Sequence, residues 1–255
     1  MPPRPSGIVT FLTDFGHRDP YVGVMKGALL RVHPKAVIVD LGHEMPPQDV
    51  TAGAFHLAAA IGQFPVGAVH VAVVDPGVGT ARQLLAVAAH EVYWLAPDNG
   101  LLGPVLARDP DADVRVLDAG HLGLREVGHT FHGRDVLAPI AGWLANGRYS
   151  FAALGPRVEP SDAVDTVLAG PARVVHVDGY GNLITNVGAA SVQGVRAVQV
   201  AGRSVPVHAT YGDVPPGSTV AVVGSYGLLE IAIHGGNAAV TLGLQRGAPI
   251  ALPGA

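Results

Sequence analysis

Two acidic residues stand where the chain could do chemistry. The apolar run Val71–Val74 is followed at once by Asp75-Pro76-Gly77-Val78-Gly79-Thr80-Ala81-Arg82. A buried strand would deliver the Asp75 carboxylate to the rim of a sheet. A tight Gly/Pro turn would then fold the Arg82 cation, seven positions on, back towards it. The same layout occurs earlier, where Ile8–Thr13 ends in Asp14-Phe15-Gly16. In open α/β sheets ligands bind outside the carboxyl ends of the strands, and both acids fall where that rule places a site. A carboxylate there can accept two ribose hydroxyls, steady a cation or act as a base. Either Asp can also simply cap a turn; two in one sheet favour function.

Other residues are open to two readings. His132 lies in Thr130-Phe131-His132-Gly133-Arg134-Asp135, just before an apolar stretch of helical character. The dipole at a helix N-terminus disfavours a cation, so His132 is expected to be neutral, an acceptor or a proton relay; it can equally be a packed capping residue. Asp178-Gly179-Tyr180-Gly181-Asn182 joins two β-type runs and would let a ligand approach its backbone, or it is an ordinary hairpin turn. Ser225-Tyr226-Gly227, before Leu228–Ile233, is equally ambiguous. His17, Asp14, Asp19 and His43 are a conceivable metal set, with surface histidines the plainer reading. GxGxxG after a strand, GxxxxGK[ST] and GxSxG are all absent, so dinucleotide, P-loop and nucleophile-elbow chemistry find no support.

The elements that must position these residues alternate in the first 150 residues. Strands are expected at Ile8–Thr13, Val37–Leu41, Val69–Val74, Leu84–Ala88 and Tyr93–Ala96, and helices at Tyr21–Val32, Val50–Phe64 and Arg134–Asn146. Val22, Met25, Leu29 and Leu30 fall at near-helical spacing, and Asp49 or Thr51 can cap the second helix. Alternation of this kind predicts an α/β domain with a mostly parallel sheet over residues 1–155. A proline-bracketed linker is expected at 156–170. Short β-type runs then follow at Ala172–Val177, Leu183–Val187, Ala197–Val200, Arg203–Val207, Thr219–Val223, Leu228–Ile233 and Ala248–Leu252, which predict a smaller all-β, barrel-like domain over 171–255.

Composition narrows the class. Hydrophobic residues make up 49% of the 255 and charged residues 14%, which points to heavily buried strands and to surface covered by oligomerisation. No apolar run reaches the ~18 residues of a membrane span. The absence of cysteine excludes disulfides, thiol nucleophiles and Cys-ligated metals. With no apolar leader at Met1–Ser6, it fits a cytoplasmic protein. A net charge of −4 without a basic run leaves no footprint for nucleic acid.

Assembled, these residues resemble the S-adenosyl-L-methionine hydrolase (adenosine-forming) family, also called SAM hydroxide adenosyltransferase, which is related to the fluorinases and chlorinases. The resemblance rests on Thr13–Gly16, Asp75–Gly79 with Arg82, Ala96-Pro97-Asp98-Asn99-Gly100-Leu101-Leu102, Thr130–Asp135, Asp178–Asn182 with Thr185-Asn186, and Ser225–Gly227 with Glu230. It implies an α/β domain, a β-barrel domain and a homotrimer whose sites lie between subunits. It implies a water-activating triad at Asp75, Arg82 and His132, a ribose-holding acid at Asp14 and an adenine contact at Asn182. Asp19, Asp178, Ser225, Tyr226 and Glu230 match positions near the methionine end. No cofactor and no metal are implied, because S-adenosylmethionine is the substrate. The fluorinase differs in having tyrosines where Asp75 and His132 stand, a serine where Gly133 stands, and an insertion before the Asn-Gly-Leu-Leu element. His234-Gly235 departs from the family, which often has Asn followed by a small residue there.

The chemistry implied is hydrolysis at C5′. The neutral thioether leaving group needs no general acid and no metal. A positioned base should contribute about 10²–10⁴-fold. Asp75 and His132 would hold the water and take its proton, and Arg82 would stabilise hydroxide-like charge. The competing readings are a sensor that binds adenosine or S-adenosylmethionine without turnover, an S-adenosylmethionine-dependent halogenase and a metal-dependent hydrolase.

Overall fold

The apolar runs of the first 120 residues assemble into one six-stranded sheet. Its strands are β1 (Ile8–Thr13), β2 (Val37–Gly42), β3 (Val69–Val73), β4 (Leu84–Ala89), β5 (Val92–Pro97) and β6 (Asp113–Val116), in the order β2-β1-β3-β5-β4-β6. The computed structural model describes residues 2–124, 128–159 and 168–253, divided into two units at Met1–Thr166 and Val167–Ala255. β1 pairs in parallel with β2 and β3, and β3 with β5; β4 runs antiparallel to both its neighbours. The sheet is thus mixed but mostly parallel. β3 and β5 are buried at every residue, which is why they read as mostly apolar rather than alternating, with His70 the polar exception in β3.

The helices of this unit are α1 (Tyr21–Val32), α2 (Val50–Ala60), α3 (Gly103–Ala107) and α4 (Ala138–Ala145). Met25 and Leu29 of α1 share a core with Ile140 and Leu144 of α4 and with Val9, Phe11, Val71 and Val73 of the central strands. The Asp49 carboxylate accepts the Ala52 N–H at 2.9 Å and caps α2. That helix stops short of Phe64, near Gly62, whose φ of +74° breaks helical geometry. The helix expected over Arg134–Asn146 begins instead as a π-helical turn, Gly133–Leu137. Pro139 has no N–H for the Asp135 carbonyl, and the Ala138 N–H bonds back to Gly133 O. β6 and the five-residue α3 are too short and irregular in pattern to be read from sequence.

The chain leaves β1 for β2 on one side, while β3 lies on the other, so the strand order reverses between β1 and β3. Thr13 pairs with Val73 across that boundary. Asp14 and Asp75 therefore emerge at the same sheet edge, from neighbouring strands, at the switch point where open α/β sheets bind ligands.

The second unit is strand-rich and antiparallel. Its elements are β7 (Val174–Val177), β8 (Leu183–Gly188), β9 (Ala197–Val200), β10 (Arg203–Pro206), β11 (Thr219–Val223), β12 (Leu228–Ile233), α5 (Ala238–Leu242) and β13 (Ile250–Ala251). They form a four-stranded sheet, β11-β12-β8-β7, and a three-stranded one, β10-β9-β13, around a core of Val174, Leu183, Val198, Leu229 and Ile231. Isolated bridges at Val207–Ala221 and Arg173–Pro249 connect the two sheets at their edges. α5 is a short helix capped by the Asn237 side chain, which accepts the Val240 N–H at 2.8 Å. Of the expected linker at 156–170, residues 160–167 lie outside the described residues.

Candidate active site

Asp75 sits two residues past β3 in a turn that folds back on itself. The Val78 N–H reaches Asp75 O at 3.3 Å, and the Thr80 hydroxyl donates to Gly77 O at 2.7 Å and accepts the Arg82 N–H at 3.3 Å. Gly79, at φ +81°, lies so close to the next segment that a Cβ there would be 2.9 Å from the His129 carbonyl oxygen. Asn99 donates to Val74 O at 2.9 Å and holds the end of β3 from the neighbouring loop. This folding lays the Arg82 guanidinium on Asp75: Nε is 2.9 Å from both carboxylate oxygens, and Nη2 also donates to Oδ2. The two side chains are only 5% and 10% exposed, for Asp75 and Arg82.

His132 completes the cluster. Its Nδ1 is 2.8 Å from Arg82 Nη2. Guanidinium nitrogens are donors only, so Nδ1 is the acceptor and the neutral ring carries its hydrogen on Nε2. Burial, then the Arg82 charge, push the His132 pKa below the usual imidazole range, against the opposing pull of Asp75 and Asp135. Gly133 lets this turn close on α1, since a Cβ there would meet Met25 Sδ at 2.9 Å.

A cavity of about 300 Å³ opens beside the cluster, lined by Asp14, Asp75 and His132 together with Phe15, Tyr21, Gln48, Val73, Val78 and Phe131 among others. Asp14 accepts the Gln48 N–H at 2.6 Å. Phe15, Tyr21 and Phe131 contact one another with ring centroids 5.5–5.7 Å apart. Asp19 is exposed in the turn before α1 and is not part of this lining. Nothing in composition pointed to Gln48, whose left-handed backbone (φ +63°) only the fold reveals. Phe131 was visible within the His132 motif but carried no signal of its own.

The second unit carries its own cavity, of about 600 Å³, lined by Asp178, Asn182, Ser225, Tyr226 and Glu230 with Tyr180, Tyr211, Ile233, Gly235 and Gly236. The Asp178–Asn182 segment is both the hairpin turn and part of the pocket. Asp178 Oδ1 accepts the Tyr180 and Asn182 N–H groups at 2.9 Å, and Oδ2 accepts the Asn182 side-chain amide at 3.0 Å. That bond orients the Asn182 amide. Glu230 is 4% exposed and accepts the Tyr211 hydroxyl at 2.7 Å. Burial raises its pKa, opposed by the Tyr211 bond and aided by Asp178, and burial together with the same bond pushes the Tyr211 phenol up to about 12. The His234 ring donates from Nδ1 to Val214 O at 2.7 Å, and it is Gly235 and Gly236 that line the cavity. Tyr211 lies in a Thr210–Asp213 capping box, a local pattern with no hint of a pocket.

Among the described residues no group of three His, Asp or Glu side chains is arranged to hold a metal ion, and the His17, Asp14, Asp19, His43 set is not gathered into one. No described helix is long and apolar enough to cross a membrane.

Residues 9–155 match the SAM hydroxide adenosyltransferase N-terminal domain, and residues 172–251 match its C-terminal domain. An (R)-S-adenosyl-L-methionine hydrolase of Thermus thermophilus is 44% identical over 96% of this chain and 98% of its own. A fluorinase of Nocardia brasiliensis is 26% identical over 94% of each chain. The crystal structure of an uncharacterized conserved protein from Thermotoga maritima has a TM-score of 0.88 and 32% identity, covering 95% of this chain and 98% of that one. With both domains matched in order along nearly its whole length, the chain belongs to the SAM hydroxide adenosyltransferase family.

Proposed function

We propose that the protein hydrolyses S-adenosyl-L-methionine to adenosine and L-methionine. The observation that carries this is the bonded set Asp75, Arg82 and His132, beside a cavity that Asp14 also lines. In the reaction a water oxygen forms a bond to C5′ as the C5′–S bond breaks. The breaking bond's electron pair neutralises the sulfonium, and the water gives up one proton. With its hydrogen on Nε2, neutral His132 is a donor to the water rather than its base. Asp75 is then the group that takes the proton, and Arg82 balances the charge that develops. Asp14 accepts the ribose hydroxyls. A carboxylate at position 75 repels a halide ion, which disfavours the halogenase reading.

Recognition of the rest of the substrate falls to the second cavity. Asn182 and the Gly235-Gly236 backbone serve adenine, while Asp178, Ser225, Tyr226 and Glu230 serve the methionine end; Asp19 joins them on the family resemblance alone. On the family resemblance, the protein is a homotrimer in which a complete site draws on neighbouring subunits. The two edge bridges of the second unit support a barrel-like closure of its sheets.

Incubation with S-adenosylmethionine in ¹⁸O-labelled water tests the reading. Adenosine labelled at the 5′ oxygen and unlabelled methionine are expected, with or without chloride and after treatment with EDTA. Label in methionine, or a 5′-chloronucleoside, sinks it; binding without any product would favour a sensor.

A further inference from the structure

We propose that His43 is a positioning residue for the Asp14 carboxylate, acting through the Thr13 hydroxyl. The proposal rests on the ribose role given to Asp14 above. His43 follows the end of β2 directly, and its side chain is fully buried, as is Thr13 at the end of β1. Its Nδ1 lies 2.9 Å from Thr13 Oγ1, its Nε2 lies 3.1 Å from Asp40 Oδ1, and Lys26 Nζ donates to Asp40 Oδ2 at 2.7 Å.

The hydrogens of this chain can be assigned. The Phe15 N–H can only donate, and it reaches Thr13 Oγ1 at 3.2 Å. The Asp40 carboxylate, 3.1 Å from Nε2, favours the ring hydrogen on that nitrogen, so in the neutral ring Nδ1 accepts from the Thr13 hydroxyl. The run of hydrogen bonds is therefore one-directional from Phe15 N–H to Thr13 to His43, with the Asp40 carboxylate in ion-pair range of Nε2 but not aligned for a hydrogen bond, and it requires a neutral ring. Burial holds the His43 pKa below its usual value, with the neighbouring His17 and Lys26 pushing the same way and Asp40 opposing. A second ring proton would turn Nδ1 into a donor and leave the Thr13 hydroxyl hydrogen without its acceptor.

His43 grips the Asp14 turn twice. Its ring takes Thr13, on one side of Asp14, and its backbone carbonyl accepts the Gly16 N–H at 2.7 Å on the other. The same loop continues to Gln48, whose N–H bonds Asp14 Oδ2 directly at 2.6 Å. The carboxylate thus receives its aim from the segment 43–48, and the Asp40–Lys26 pair lies beside the ring that holds that segment to β1. A carboxylate that must meet two vicinal hydroxyls needs its plane fixed, because two simultaneous hydrogen bonds tolerate little rotation.

The test compares adenosine with 2′,3′-dideoxyadenosine by calorimetric titration of the full-length protein, the wild type against Thr13→Val and His43→Asn. Valine is close to isosteric with threonine, and asparagine keeps an acceptor near the Nδ1 position. The wild type is expected to prefer adenosine at least about tenfold. Thr13→Val should cut that preference by roughly tenfold, one hydrogen bond's worth, with dideoxyadenosine affinity unchanged. His43→Asn should keep most of it. In turnover, KM for S-adenosylmethionine should rise more than kcat falls, a split that general loosening of the fold would not give. An unaltered preference in Thr13→Val, or equal loss for both ligands, overturns the positioning role. A wild-type protein with no preference for adenosine removes the ribose role of Asp14 itself, and the proposal with it.

Discussion

β1 and β3 are neighbouring parallel strands that both end in an aspartate, yet the two ends are built differently. Asp75 is 5% exposed and is clasped by a guanidinium that also donates to His132. Asp14 has no cation partner among the described residues; a backbone N–H meets it, and a neutral Thr13–His43 contact fixes its turn. The difference fits the different work proposed for the same side chain. A carboxylate clasped by a cation that is itself bonded to an imidazole sits in a field prepared for charge that appears during a reaction. A carboxylate met only by neutral donors retains lone pairs for hydroxyls and suits binding.

Substitution at both ends can break that contrast. Asp75→Asn keeps the shape of the side chain and removes its basicity. Its kcat should fall by about 10²–10⁴-fold, while affinity for adenosine stays within roughly twofold. Asp14→Asn should do the reverse. Hydrogen bonds to a charged acceptor contribute about 1.5–3 kcal/mol, so adenosine should bind roughly 10- to 100-fold more weakly, with kcat at saturating substrate falling much less. Single-turnover rates and adenosine titrations on both variants would decide. Similar kcat losses from both changes would show that the two strand ends form one catalytic unit and that the division of labour is wrong.

The contrast was only half legible in the sequence. The largely apolar strands β1 and β3 and the acids at their ends could be read directly, because strands buried on both faces carry few polar residues. The return of Arg82 onto Asp75 was suggested by the Gly and Pro of the turn. What could not be read were contacts made by residues far apart in the chain. Arg82 meets His132 across 50 positions, and Thr13 meets His43 across 30. No local pattern encodes either, since each depends on strand order and register. His43 was instead grouped with His17 and Asp19 as a conceivable metal set, and its actual partners proved to be a threonine hydroxyl and Asp40. The π-helical turn after His132 was hidden for a related reason: the effect of the missing Pro139 N–H on the preceding turn shows only in three dimensions. In the second unit the Asp178 turn was recognisable, whereas Tyr211, brought to Glu230 by the fold, was not.

Below their differing ends the two strands share a neutral link, which gives the mildest test. His70 of β3 is 1% exposed, bonds the Thr10 hydroxyl of β1 through Nδ1 at 2.8 Å, and stacks on Trp94 of β5 with ring centroids 4.2 Å apart. Burial lowers its pKa from 6.5 to about 4. The unfolded chain therefore binds the His70 proton at a pH where the folded one does not. This group costs no stability above the unfolded value, and stability falls as pH drops from about 6.5 towards 4. At about pH 5.5 the loss should be roughly 1 kcal/mol, approaching about 3 kcal/mol near pH 4. His70→Asn keeps an acceptor for Thr10 and cannot titrate. Denaturant unfolding of both proteins at neutral and mildly acidic pH should show the wild type losing that increment relative to the variant. Parallel pH profiles would mean that His70 takes up its proton equally well folded, and that burial does not keep this link neutral.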